Sequence, residues 1–441
     1  MDLDPPLVSR WIEPLAKAPG EIADVFVERR AEVSLDWTDG ELTNSRYARS
    51  EGLSARWRGA GAERIVSVSR ADETGAREAI RNLQTALGRP ALPVKVASAS
   101  AASPHPLPAP DVERWRKRLA AALARHAPRH ALRWTFRELQ RDVIPAGAPP
   151  AAHTRRLISL EGTFIAASRR GDEKRRFSFH APESDGTFDE LKAALGAAAV
   201  PRERPVPCGS GDFDVVLGAG SAAVLFHEIL SHPLESSDSI LSALRDARLA
   251  VPDLEVRDEP LRLDLFGGYE RDDEGTRPRA VKLLDSGRLA GRPTDRATAE
   301  RGGSNGHARR AEHWDPPLVR GSNLLVSGGQ VGTAEMARRL GNGLWIEEIT
   351  GGTIELASGE FRLRFPRAQR VRRGRLADEV GPGVAAGDVL SALKRVEGGL
   401  GREVRPYRSL GWCARYGQVV PIQGAAPDVL IRQLALRPSA S

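Results

Sequence analysis

The stretch Phe213-Asp214-Val215-Val216-Leu217-Gly218-Ala219-Gly220-Ser221-Ala222-Ala223-Val224-Leu225-Phe226-His227-Glu228-Ile229-Leu230-Ser231-His232-Pro233-Leu234-Glu235 runs from an apolar strand, through a glycine turn, into an apolar helix. The helix places two imidazoles and a carboxylate, His227, His232 and Glu228, within one short segment. Neutral imidazoles are good zinc ligands, and a carboxylate beside the first is placed to take a proton from water that a metal activates. On a regular α-helix, a spacing of five turns the second histidine about 140° from the first, whereas four turns it only about 40°. Both rings reach one metal if the helix is widened locally, as in a π-bulge. Pro233 supplies a cause: it cannot donate to the Ile229 carbonyl, and its ring crowds that carbonyl. The expectation is an irregular helix between His227 and Leu234. The alternative is two unrelated histidines on a buried amphipathic helix, yet histidine accounts for only 9 of 441 residues. Gly218-Ala219-Gly220 is weak evidence for phosphate binding, and close strand-to-helix packing explains it better.

The histidine segment resembles the zincin motif H-E-x-x-H with one residue added. The longer run from Gly218 to Glu235 resembles the H-E-x-x-x-H segment of the TldD/PmbA metalloprotease family. Later stretches resemble the same family in the same order. They are Asp272-Asp273-Glu274-Gly275-Thr276, Leu284-Asp285-Ser286-Gly287-Arg288-Leu289-Ala290-Gly291 and Asn305-Gly306-His307-Ala308-Arg309-Arg310. Gly351-Gly352-Thr353, Ser358-Gly359-Glu360-Phe361 and the run from Cys413 to Ile422 follow. The resemblance is strong from about Phe213 to the C-terminus and weaker over Val25 to Leu87. Ile229 and Leu230 are bulkier than the family's usual motif interior, and Ser231 and Pro233 stand where glycines are typical.

Catalytic zinc normally takes three protein ligands and one water, so a third ligand has to come from elsewhere in the chain. Cys413 is the candidate, because its thiolate is a soft zinc donor and it stands where the family carries its cysteine ligand. Cys208 is the rival, and a small buried hydrophobe is the ordinary fate of a free cysteine. The resemblance implies Zn2+ held by His227, His232 and Cys413, with Glu228 moving the proton. Glu235 is either an orienting partner for an imidazole or an exposed carboxylate. The family further implies a peptidase acting on short or unfolded peptides inside a homodimer, or a heterodimer with a paralogue. Such a site would recognise main chain by strand addition. Gly351-Gly352-Thr353 and Asn305 to Arg310 would contribute to its groove, or else be ordinary turns and a solvated basic patch. A non-catalytic peptide-binding subunit supporting an active partner is the alternative. A DNA-associated gyrase modulator, a third possibility, would bind DNA in a salt-sensitive manner.

Composition suits an intracellular enzyme. The 441 residues suffice for two or three domains. No run of eighteen apolar residues suggests a membrane span, and the acidic, proline-bearing start from Met1 to Pro6 is unlike a secretory signal. Cys208 and Cys413 make no disulfide framework, and the expected location is cytoplasmic. The net charge of +7 comes from arginines interleaved with Asp and Glu, without a nucleic-acid-binding motif. The expected class is α+β. Residues 1–206 form an N-terminal α/β domain with an antiparallel sheet and an Ala/Pro/Ser-rich linker at 89–110. Residues 207–441 form a predominantly β domain around one metal-binding helix. Within the first domain, Asp39-Gly40 signals a hairpin turn, Asp72 and Asp111 open helices, and Glu161-Gly162 marks a further hairpin.

Overall fold

The computed structural model of the chain describes residues 3–59, 61–89, 112–166, 171–202, 205–244, 246–299 and 303–439. Strand β1 (Ile22–Thr38) buries Val33, Leu35 and Trp37, the alternation that a half-buried strand requires. It returns as β2 (Glu41–Gly59) through the two-residue loop Asp39-Gly40, whose φ values of 48° and 91° are those of a type I′ turn. β3 (Ala62–Val68) pairs with the second half of β2. Helix α1 (Pro5–Ile12) precedes β1, and α2 (Glu73–Ala86) follows β3, capped by the Asp72 carboxylate accepting from Gly75 N–H at 2.8 Å.

The same order of elements then recurs. Helix α3 (Val112–His126) leads into β4 (His130–Pro145), β5 (Ala151–Ala166), β6 (Glu173–Pro182) and α4 (Thr187–Ala199). The halves join through β1 and β4 into one antiparallel sheet of order β3-β2-β1-β4-β5-β6. α1 and α2 cover one half, where Ile12, Ala79 and Leu83 meet Val25 and Leu53; α3 and α4 cover the other around Trp115 and Trp134. Most of the expected linker, and the Asp111 cap, lie outside the described residues.

The hairpin expected at Glu161-Gly162 is absent. β5 runs unbroken, with Gly162 paired to Leu132 on one side and Phe177 on the other. A glycine inside a strand can mark close backbone approach as well as a turn, and that is its role here. A Cβ at Gly162 would lie 2.1 Å from the Ala131 carbonyl oxygen.

The C-terminal region holds two mixed sheets. Strand β7 (Gly211–Leu217) is central in an eight-stranded sheet, antiparallel to Val429–Pro438 and parallel to Gly343–Ile346. The outermost strand on one side is Gly351–Ile354. A six-stranded sheet includes Val256–Asp258, Asn323–Val326 and Gln423–Ala426. The helix that follows β7 packs against strands of both sheets, so Ala222 to Ser231 are all buried. The expected β-rich region built around this helix is present, with two more short helices, Thr333–Leu340 and Val389–Lys394. The Gly218-Ala219-Gly220 turn binds its own chain: Ala219 N–H donates to Asp428 Oδ1 at 2.7 Å and Gly220 N–H to the Ala426 carbonyl at 2.8 Å. Among the described residues, no helix is long and apolar enough to cross a membrane.

A buried ionic cluster joins the N-terminal sheet to the C-terminal region. Arg56 bonds Asp24 of β1 and reaches Glu274 at 2.7 Å, while Arg141 of β4 pairs with Glu28 at 2.7 Å and Asp273 at 2.9 Å. Arg310 donates its backbone N–H to Asp273 at 2.7 Å and lays its guanidinium over Phe26.

Gly162→Ala is expected to destabilise the protein by about 2–3 kcal/mol, because the new methyl meets backbone on the neighbouring strand. Urea unfolding would show it as a lower midpoint at unchanged slope.

Candidate metal centre

The helix after β7 changes its winding at the first histidine. Ala222–Phe226 is α-helical, His227–Ser231 is one π-helical turn, and His232–Leu234 resumes the α form. The His232 N–H donates to the His227 carbonyl, five residues back. Residues five apart in such a turn lie almost one above the other. The two rings accordingly sit 4.5 Å apart between centroids, on the same side of the helix. This is the irregularity that the five-residue spacing and Pro233 led one to expect.

Cys413 arrives on a tight hairpin, Trp412–Arg415 paired with Gln418–Pro421. The hairpin turns at Tyr416-Gly417, with φ values of 49° and 78°. Arg320 holds the hairpin from one side, donating to the carbonyls of Cys413 at 2.8 Å and Gln418 at 3.3 Å. On the other side the N-terminal sheet supports it. His180 N–H donates to the Arg408 carbonyl at 2.8 Å, and Ser409 Oγ to the Ser178 carbonyl at 3.1 Å. Cys413 Sγ then lies 3.4 Å from His232 Nε2.

Ligand atoms of His227, His232 and Cys413 all fall within 4.8 Å of one another. A tetrahedral zinc site with ordinary bond lengths spaces its nitrogen and sulfur donors roughly 3.3–3.7 Å apart. The Sγ–Nε2 separation matches, and two imidazoles with a thiolate suit zinc's preference for nitrogen and sulfur. Burial disfavours the Cys413 thiolate, but the adjacent His227 and His232 charges hold its pKa well below the usual thiol value. Burial likewise disfavours the His232 imidazolium, yet the Cys413 thiolate and Glu235 keep its pKa well above normal. A divalent cation would replace the proton that the pair retains.

Glu235 is buried and fully engaged. Its carboxylate accepts from Arg415 at 2.7 Å, from the Gly321 N–H at 2.6 Å and from Ser231 Oγ at 3.3 Å. It also faces His232 Nδ1 at 3.3 Å, the contact that fixes which ring nitrogen points at Cys413. Burial pushes its pKa up, but His232, Arg320 and Arg415 together hold it well below the usual carboxylate range. Arg415 stands two residues from Cys413 on the same strand, so both side chains leave the same face. One carboxylate therefore ties the histidine helix to the cysteine hairpin.

Glu228 is 7 % exposed, and burial raises its pKa although His227 and His232 pull the other way. It packs against Gly352, where a Cβ would lie 2.5 Å from its Oε1. The four residues open into a cavity of about 1190 Å³ between the two parts of the chain. Trp37, Gly162 and His180 form its wall on one side, and the Gly351–Ile354 strand on the other.

Cys208 is buried in the C-terminal core, bonded to its own neighbour's carbonyl, and is not in this cluster. Asn305 to Arg310 is neither a groove wall nor a solvated basic patch. Arg309 and Arg310 are buried and line none of this cavity. Gly351-Gly352-Thr353, the other stretch expected at the groove, does line the cavity, though the contact of Gly352 with Glu228 was not foreseen. The roles of Arg320, Arg415 and His180 were not read from sequence. Only Arg415 carried a local signal, its two-residue spacing from Cys413.

Glu235→Leu is expected to cost about 3–5 kcal/mol, because it leaves the guanidiniums of Arg320 and Arg415 buried and unpaired. Denaturant unfolding of metal-free protein measures it, and Glu235→Gln, which keeps the shape, should fall between the two.

Residues 210–437 match the family profile for the PmbA/TldA metallopeptidase C-terminal domain, and residues 23–87 the profile for PmbA/TldA metallopeptidase domain 1. A metalloprotease of Methanothermobacter thermautotrophicus is 32% identical over 252 residues, 56% of this chain and 54% of that protein. A zinc metalloprotease TldD homolog of Saccharolobus solfataricus is 23% identical over 235 residues, 51% of each. The chain thus spans about half the length of the curated relatives it matches. The crystal structure of TldE from Thermococcus kodakarensis shares the fold, with a TM-score of 0.71 at 13% identity over 97% of this chain and 98% of that one. With more than half of its length inside the C-terminal profile, the chain belongs to the TldD/PmbA metallopeptidase family.

Proposed function

We propose that the chain is a zinc-dependent peptidase acting on short or unfolded peptides. The observation that carries this is the convergence of His227, His232 and Cys413 ligand atoms within 4.8 Å, with Glu228 beside them on one cavity wall. A bound zinc ion would supply Lewis acidity at the peptide carbonyl and acidify a water molecule. Glu228 takes the proton of the attacking water and delivers it to the leaving amine; its burial-raised pKa suits both roles. Glu235 holds the His232 ring, and Gly352 leaves room for the Glu228 carboxylate.

Substrate recognition falls to the strand Gly351–Ile354. It pairs with Glu360–Phe365 on one side only, and it lines the cavity. A free strand edge offers N–H and C=O groups to an extended peptide, and selects for main chain rather than for one side chain. Enclosure of the cavity by a second family subunit, a copy or a paralogue, would keep folded proteins out. The enzyme would act in the cytoplasm, with 1–206 and 207–441 as its two domains.

Purified protein is expected to carry zinc and cleave an unstructured peptide, while Glu228→Gln keeps the metal and loses about 10²–10⁴-fold in turnover. Cys413→Ala should lose both zinc and activity, and Cys208→Ala neither. Zinc retained in Cys413→Ala and lost in Cys208→Ala would refute the ligand set. If cleavage requires a paralogous subunit, the Glu228→Gln substitution in this chain tells which subunit works. Full activity with Glu228→Gln would make this chain the supporting, non-catalytic member. Gly352→Ala should also depress turnover with zinc content unchanged, since its methyl displaces Glu228.

A further inference from the structure

Where the N-terminal sheet meets the C-terminal region lies a second cavity, about 10 Å³, which shares no lining residue with the first. It has room for one water-sized occupant. Three arginines line it without a counter-ion, Arg155, Arg271 and Arg309. Arg309, 4 % exposed, donates to the Gly321 carbonyl at 2.7 Å and lies over the Tyr269 ring at 4.9 Å. Arg155, partly buried on β5, donates to the Phe266 carbonyl. Among the described residues, no carboxylate hydrogen-bonds or ion-pairs with any of the three.

The carboxylates in the same wall are committed elsewhere. Asp273 pairs with Arg141 at 2.9 Å and accepts the Arg310 N–H at 2.7 Å. Asp272 accepts the N–H groups of Thr276 at 2.7 Å, Glu274 at 3.0 Å and Ala308 at 3.2 Å. His153 is also in the wall: it is 8 % exposed, and its Nδ1 has no hydrogen-bond partner. Burial pushes its pKa down to about 4, which leaves a neutral ring with one N–H to give. Burial, followed by repulsion from Arg309 and Arg141, pushes Arg155 down to about 9.

We propose that this cavity binds one chloride ion between the guanidiniums of Arg155 and Arg309 and the ring of His153. Like charges brought together away from water are costly unless a counter-charge joins them. Water would fill the space but bring no charge. A carboxylate-bearing or phosphate ligand would be too large for it. A monatomic anion, only a little larger than water, is the smallest species that brings a counter-charge and accepts from the unpaired donor. Arg155 and His153 belong to the N-terminal sheet and Arg309 to the C-terminal region, so the ion bridges the two parts of the chain.

The test is a crystal of the full chain grown in sodium bromide, with data collected at the bromine absorption edge. An anomalous peak between Arg155 and Arg309 is expected; a cavity that is empty or holds only water overturns the proposal. In solution, the wild-type Tm should be higher in sodium chloride than in sodium gluconate at equal ionic strength, with the difference levelling off as the site fills. Equal Tm values in the two salts overturn it. Arg155→Met should abolish the difference, and its persistence in that variant also overturns the proposal. Should the variant fail to fold, the bromide crystal and the wild-type comparison decide.

Discussion

The hydrogen bond from the His232 N–H to the His227 carbonyl is the constraint on which the candidate centre depends. A regular helix would carry the second ring about 140° round the axis, away from the first and from Cys413. The π turn restores the alignment at the cost of poorer backbone geometry. Two things sustain it. Pro233 cannot donate in the α pattern to Ile229, and the helix is enclosed by both C-terminal sheets, so its widened turn has no freedom to relax.

The third member of the cluster depends on the rest of the chain. Cys413 is placed by Arg320, by Glu235 through Arg415, and by the N-terminal strand β6 that bonds the segment leading to it. The position of that strand relative to the metal cluster is set in turn by the ionic cluster of Arg56, Arg141, Asp273 and Glu274. Buried pairs of this kind contribute little net stability, since desolvation offsets their attraction. A different docking would leave charges unpaired at several kcal/mol each. The N-terminal sheet therefore closes the cavity in one arrangement, with Trp37, Gly162 and His180 facing Glu228 and Gly352 across it.

Local chemistry was legible where one residue type dictates one conformation. The Asp39-Gly40 turn, the Asp72 cap and the disturbed histidine helix all follow from neighbours in sequence. Gly162 shows the limit of that legibility. The glycine that suggested a turn is needed because a backbone oxygen 31 positions earlier in the chain approaches it, at Ala131. The twofold repetition of helix, three strands and helix was equally hidden, because it lies in the order and pairing of elements rather than in any local motif. The Asn305–Arg310 segment read as a groove contributor or as a solvated basic patch, since a string of letters gives no sign that Asp273 will meet Arg310 in the interior.

The sequence by itself determined which side chains could bind a metal and which carboxylate stood beside them, because ligand chemistry belongs to residue types and helix winding to near neighbours. It also determined the α+β class, through alternation and capping. Only the tertiary structure decided that Cys413 rather than Cys208 meets the histidines, that Glu235 is buried between two arginines, and that Gly352 touches Glu228. Those contacts join residues far apart in the chain, and their distances are set by how sheets pack and where charges are buried, which no local pattern encodes.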